Sequence, residues 1–170
     1  MKTIVVMRHA KSDWSNRVLA DYDRPLNKRG ETDAPLIGSV LKQLSLIPDI
    51  IISSPALRAK LTAEKTAKTC AYTGEIIFRD SFYFGNSKSV LEAIEELPDR
   101  YETVLVIGHN PILEHFISMM VSNTSLKIKL PTAAFAVIKT EHDTWKRVKE
   151  DSGILTLLLV PRMLKHLTNK

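Results

Sequence analysis

Four residues of this sequence could hold and transfer an anionic group, and they lie at three places where an apolar run stops. VVMRHAKS, at 5–12, ends such a run in Arg8 and His9. SSPALRA, at 53–59, sets Arg58 just past Pro55, and GHNP, at 108–111, sets His109 just ahead of Asn110 and Pro111. The planar fork of arginine binds two phosphate oxygens at once and stays charged at any working pH. Histidine attacks phosphorus as neutral imidazole and donates a hydrogen bond as the cation. An arginine in a helix's first turn opposes the helix dipole, a conflict that an anion beside it removes, and the helix's own N–H groups favour the same anion. Zinc or iron is not expected here. The two arginines would repel a metal, and neither histidine has an Asp, Glu or Cys beside it to complete a ligand set.

Positioning these residues falls to the elements around them. TIVVM (3–7), DIIIS (49–53), EIIF (75–78) and TVLVIG (103–108) are nearly continuous apolar runs rich in Val and Ile, as strands covered on both faces are. Amphipathic stretches at 30–46, 56–71, 87–97 and 111–122 alternate with them and predict helices. Pro35 implies that the first helix starts late or bends there. AAFAVIKT (133–140) and ILTLLLV (154–160) predict two strands with only a turn at 141–144 and the segment WKRVK between them. The expected fold is a three-layer α/β/α sandwich whose mostly parallel sheet has an antiparallel edge. In such sheets ligands bind beyond the carboxyl ends of the strands, where Arg8, His9, Arg58 and His109 all fall. The basic tail RMLKHLTNK is expected to be a solvated surface segment.

The chain's 170 residues suit one domain, and with 44% hydrophobic residues it can build a core. A net charge of +5 favours anionic partners without selecting among them. The single cysteine, Cys70, excludes an internal disulfide framework and suits a reducing compartment. The apolar run at the start is too short for a signal peptide or a membrane span, so the cytoplasm is the expected location.

Together, Arg8-His9-Ala10, SSPALRAKLTA (53–63) and Gly108-His109-Asn110 resemble the histidine phosphatase superfamily, whose fold is phosphoglycerate mutase-like. Ala10 departs from the usual Arg-His-Gly. RHAKSDW, DYDRPLNKRGETDA (21–34), YFG (83–85) and ELP (96–98) resemble the short SixA-type phosphohistidine phosphatases, so the likeness runs from Ile4 to Pro161. It implies that His9 is a nucleophile forming a phosphohistidine intermediate, with Arg8, Arg58 and His109 holding the phosphoryl group and no cofactor. Mutase relatives also contact phosphate through a Ser and an Asn; Ser12 matches the first, and Ser15 stands at the second position, with Asn16 one residue late.

Many members of the superfamily carry a Glu or Asp in the loop after the third strand as general acid. Here that loop, RDSFYFGNSKS (79–89), has Tyr83, Phe84 and Gly85 at the place, and Asp80 comes too early. Such an absence suits phosphohistidine. An alkyl ester must expel an alkoxide, whereas phosphohistidine expels imidazole, whose conjugate acid has a pKa of about 6.5.

Arg24 is a further candidate for the distal part of the substrate, Lys11 could add positive potential, and Trp14 could wall the pocket. His115, His142 and His166 are expected to be structural or exposed. Ser53 and Ser54 lack the G-x-S-x-G context of a nucleophile and suit a helix cap. The leading expectation is a metal-independent phosphatase removing phosphate from phosphohistidine on a protein. The alternatives are a phosphomonoesterase for a small metabolite and a non-catalytic phosphate-binding module. The expected partner is thus a phosphorylated protein or small phosphate ester; no nucleic acid or membrane is expected, and the chain is expected to be a monomer. With aromatics at only 6%, there is no basic stripe interleaved with stacking side chains.

Overall fold

The computed structural model describes residues 1–168. The chain runs β1 (Lys2–Arg8), α1 (Lys28–Gln43), β2 (Ile50–Ser53), α2 (Leu57–Cys70), β3 (Ile76–Phe78), α3 (Ser81–Phe84), α4 (Ser87–Glu95), β4 (Thr103–Gly108), α5 (Ile112–Val121), β5 (Phe135–Thr140), β6 (Gly153–Leu159) and α6 (Pro161–Thr168). The six strands form one sheet in the order β3-β2-β4-β1-β5-β6. β3, β2, β4 and β1 are parallel, while β5 pairs antiparallel with both β1 and β6. This is the expected mostly parallel sheet with antiparallel pairing at one side.

Alternation along each strand sends its side chains to two separate cores. Ile4, Val6, Ile52, Val104 and Val106 face a cluster closed by Phe82 of α3, Ile94 of α4 and Phe116 of α5. Val5, Met7, Ile51, Leu105 and Ile107 face the opposite cluster, closed by Ile37 and Leu41 of α1 and Ala63 and Ala67 of α2. The result is a three-layer α/β/α sandwich. Both faces of the central strands are dry, which is why their sequences read as continuous apolar runs instead of alternating ones.

Three details differ from the expectations. First, α1 begins at Lys28 and continues through Pro35, so it does not start late. Asn27 caps it by accepting from the Gly30 N–H, and the Asn27 N–H donates to the Lys11 carbonyl at 3.0 Å. The helix can approach that close because residue 30 is glycine; a Cβ there would lie 2.3 Å from the same carbonyl oxygen. This contact ties the segment after His9 to the start of α1.

Second, the 79–89 loop contains a helix, α3, and residues Asp21–Asp23 form a short 3-10 turn that the apolar pattern gave no sign of. Third, the basic tail is helical through Thr168 instead of a loose surface segment. Leu164 packs against the second core cluster and the Lys165 ammonium lies 2.5 Å from the buried Asp33 carboxylate, which also meets Arg29 at 3.2 Å. The last two residues of that tail, and the side chain of His166, lie outside the described residues. Among the described residues, no helix is long and apolar enough to cross a membrane.

Candidate active site

The carboxyl ends of β1, β4 and β2 lie side by side, and the chain leaves all three toward one pocket of about 300 Å³. Arg8, His9, Lys11, Ser12, Trp14, Asp21, Arg58, His109, Asn110 and Thr132 line it. Backbone bonds fix the tip of β1. The His9 N–H donates to the Gly108 carbonyl at 3.0 Å, the Ala133 N–H donates to the carbonyls of Arg8 and His9, and the Ala10 N–H donates to Thr62 Oγ1 at 3.0 Å.

The four residues singled out from the sequence are brought together. Arg58 Nε donates to His9 Nε2 at 3.3 Å, and Arg58 Nη2 lies 3.3 Å from His109 Nδ1. The two imidazole rings are 4.9 Å apart, centre to centre. His9, Arg58 and His109 are each only 7% exposed.

These contacts define the histidine tautomers. His9 Nδ1 lies 2.7 Å from the Ala10 carbonyl, which can only accept, so Nδ1 carries the proton and the Nε2 lone pair faces Arg58. His109 takes the opposite form. Its Nδ1 accepts from Arg58, and its Nε2–H points at Ser54 Oγ at 2.8 Å. Burial, with the nearby arginines, pushes His9 down to about 4. Burial and the adjoining His9 and Arg58 push His109 down to about 3. Both rings are neutral at pH 7.

A pH dependence follows. Unfolded histidines take up protons near pH 6.5, whereas these two resist protonation until about 4 and about 3. Their contribution to stability is therefore complete above pH 6.5 and declines as the pH falls through that range. Urea unfolding at pH 7 and pH 5 should show a larger loss for the wild type than for a His9→Gln, His109→Gln double variant. Equal losses would mean that the rings are not held neutral.

Arg8 reaches the pocket from the other side. Its Nη1 donates to the Leu130 carbonyl at 3.1 Å, while its Nε–H is buried without a partner. Burial lowers its pKa from the usual high value, opposed by Glu114. Glu114 also organises this wall, accepting from Asn110 Nδ2 at 2.7 Å and from the Leu130 N–H at 2.8 Å. Ala56, the N-cap of α2, offers no side-chain cap, and the first turn has no acidic residue, so nothing on the helix itself balances the positive end that carries Arg58. Three cations and one carboxylate line the pocket, a surplus of two positive charges that matches a phosphate dianion.

The carboxylate is Asp21, which the sequence reading did not single out. Its backbone carbonyl accepts from Arg58 Nη1 at 2.5 Å, and its Oδ2 accepts from Arg58 Nη2 and from the Tyr83 hydroxyl, each at 2.9 Å. Burial pushes this carboxyl up, but the bonds from Tyr83 and Arg58 and the charges of Arg58 and Arg24 outweigh it, so the group lies below the usual carboxylate range. Asp80 and the other carboxylates stay out of the pocket lining. Among the described residues, no group of three or more His, Cys, Asp or Glu side chains could hold a metal ion.

The remaining candidates divide. Ser12 lines the pocket, with its hydroxyl accepting from Trp14 Nε1 at 3.1 Å. Ser15 does not reach the pocket. It is exposed, in a turn that its N–H closes onto Asp13 Oδ1 at 2.8 Å, so it stands apart from the pocket in which the anion contact was expected. Arg24 does not line the pocket either. Its guanidinium stacks 4.1 Å above the Trp14 ring and its Nε lies 3.8 Å from Asp21 Oδ1, so it supports the rim. Lys11 and Trp14 are wall residues; His115 is exposed and His142 half-buried, both outside the lining.

The sequence profile of the histidine phosphatase superfamily (branch 1) matches residues 4–82. An uncharacterised protein of Mycobacterium tuberculosis is 30% identical over 167 residues, covering 92% of this chain and 100% of that one. The structure of a proposed phosphohistidine phosphatase, SixA, from Nakamurella multipartita superposes with a TM-score of 0.82 at 25% identity, covering 94% of this chain and 96% of that one. A structure of the protein histidine phosphatase SixA complexed with tungstate gives a TM-score of 0.81 at 20% identity over 95% and 99%.

Proposed function

Because this chain belongs to the histidine phosphatase superfamily, we propose that it is a metal-independent phosphatase that removes phosphate from phosphohistidine on a protein, with His9 as nucleophile. The observation that carries this reading is the pairing of a neutral, Nδ1-protonated His9 with the Arg58 guanidinium, beside a buried Arg8 Nε–H that has no partner. A buried unpaired donor is costly unless a ligand satisfies it. A tetrahedral oxyanion would do so while taking its other bonds from Arg58.

The lone pair of His9 Nε2 attacks phosphorus in line. The substrate's P–N bond breaks, and its electron pair leaves with the substrate ring. Arg8 and Arg58 hold the equatorial oxygens, where charge is spread in the transition state. Once the phosphoryl group replaces its contact with Arg58, His109 Nδ1 is free to take a proton and donate to an oxygen. Water then attacks phospho-His9, the electron pair returns to Nε2, and inorganic phosphate departs. The two guanidinium groups supply the fixed positive charge that a metal supplies in other phosphoryl-transfer sites.

The choice of phosphohistidine over an ester rests on the acid. Asp21 is the pocket's only carboxylate among the described residues, and its ion pair with Arg58 keeps it ionised, so it is a poor proton donor to an alkoxide. Turnover should be compared on a histidine-phosphorylated phosphotransfer domain, on phosphoramidate and on propyl phosphate. The P–N substrates should be strongly preferred; a clear preference for propyl phosphate refutes the assignment.

A further inference from the structure

A carboxylate inside an anion site needs a reason. Asp21 repels any dianion that binds beside it, a cost that is recovered only if the substrate also brings a positive group or a donor. Its two oxygens are not equivalent. Oδ2 is committed to Arg58 and the Tyr83 hydroxyl, whereas Oδ1 has no hydrogen bond among the described residues, only the 3.8 Å approach of Arg24 Nε. The side chain is 47% exposed and lines the pocket, so Oδ1 has acceptor capacity to spare.

We propose that Asp21 accepts a hydrogen bond from the ring nitrogen of phosphohistidine that is not bonded to phosphorus, and so holds the leaving ring in its protonated form. This rests on the phosphohistidine reading above and assigns how that substrate is told from an ester.

A phosphorylated ring without that second proton must leave as an imidazolide anion, a very poor leaving group. With the proton in place it leaves as neutral imidazole. When His9 Nε2 forms its bond to phosphorus, the electron pair of the breaking P–N bond goes to the departing nitrogen, and the proton on the far nitrogen stays where it is. Nothing has to be donated at the scissile bond. A free imidazole is protonated near pH 6.5, so at neutral pH only a minority of rings would be competent. An opposite charge within ~4–6 Å raises such a pKa by ~1–3 units, enough to make the competent form dominant. The charged and titratable groups around Asp21 are Arg58 on α2, Tyr83 on α3, Arg24 in its own loop, and His9 and His109 behind Arg58.

The test compares Asp21→Asn and Asp21→Glu with the wild type on phosphohistidine, p-nitrophenyl phosphate and propyl phosphate across pH. For Asp21→Asn, kcat/KM on phosphohistidine should fall about ten-fold more than on p-nitrophenyl phosphate, and the alkaline limb of the phosphohistidine profile should move down by about one pH unit. Asp21→Glu should restore the limb. Equal losses on all substrates with an unmoved profile would show that Asp21 only positions Arg58 and would overturn the proposal. A loss selective for propyl phosphate would overturn it by making Asp21 a proton donor. A wild type that fails on phosphohistidine but hydrolyses the esters removes the phosphohistidine reading itself, and this inference with it.

Discussion

His9→Ala is expected to abolish turnover, with kcat falling by on the order of 10⁴-fold or more, the scale seen when a covalent nucleophile is deleted from a unit that acts together. The Nε2 of His109 is turned to Ser54 Oγ, its Nδ1 is held by Arg58, and Ser54 Oγ also accepts from the Ala56 N–H. His9 presents a neutral nitrogen lone pair at Nε2, and the Ala10 carbonyl fixes its orientation from the other side of the ring. Rapid acid-free quenching of the wild type with radiolabelled phosphohistidine protein should trap an acid-labile, base-stable label on the enzyme, and His9→Ala should carry none. The variant keeps both arginines, so orthovanadate should still raise its melting temperature. That result separates lost chemistry from lost folding. Turnover above about 1% of wild type, or a label that persists in the variant, would remove His9 from the reaction.

Arg58→Lys is expected to lower kcat by ~10²–10³, the loss typical of one preorganised donor, although the charge is kept. The three guanidinium nitrogens reach four partners at once: His9, His109 and both the carbonyl and the carboxylate of Asp21. A lysine ammonium is a point charge and cannot reproduce that fork. The loss should appear in the rate of phosphoenzyme formation in single turnover. An effect confined to KM would mean that Arg58 binds the ground state and the transition state equally and contributes nothing to the chemical step.

The strand-borne half of the site was legible in the sequence because a buried parallel strand is a continuous apolar run, and its end is conspicuous. Arg8, His9 and His109 follow such runs directly, and Arg58 follows at a helix start. The loop-borne half was not. Asp21 enters from a three-residue turn with no periodicity, and its role depends on contacts with Arg58 and Tyr83, which are 37 and 62 residues away along the chain. The DYDRPL motif carried the signal, but it drew attention to Arg24, which the structure uses to brace Trp14. Register with relatives points to Ser15, but the turn closed by Asp13 sends it to solvent. Glu114 stands four residues after Asn110, a helical neighbour that the spacing alone could have revealed. The helical tail was hidden because the carboxylate that anchors it, Asp33, lies on α1, far away along the chain.

β1 lies inside the sheet, between β4 and β5, while Asp21, Tyr83 and Trp14 all hang from short peripheral segments. On the proposed reading most phosphorus-handling groups sit at the ends of inner strands and the discriminating ones at the rim, and the Asp21–Arg58 pair joins the two. A laboratory seeking a different preference could vary Tyr83 and the 21–23 turn while keeping Phe82, which closes one of the two cores. Natural drift has the same freedom: substrates can turn over in evolutionary time at the margin, while the phosphorus-handling centre stays pinned to strands in the middle of the sheet.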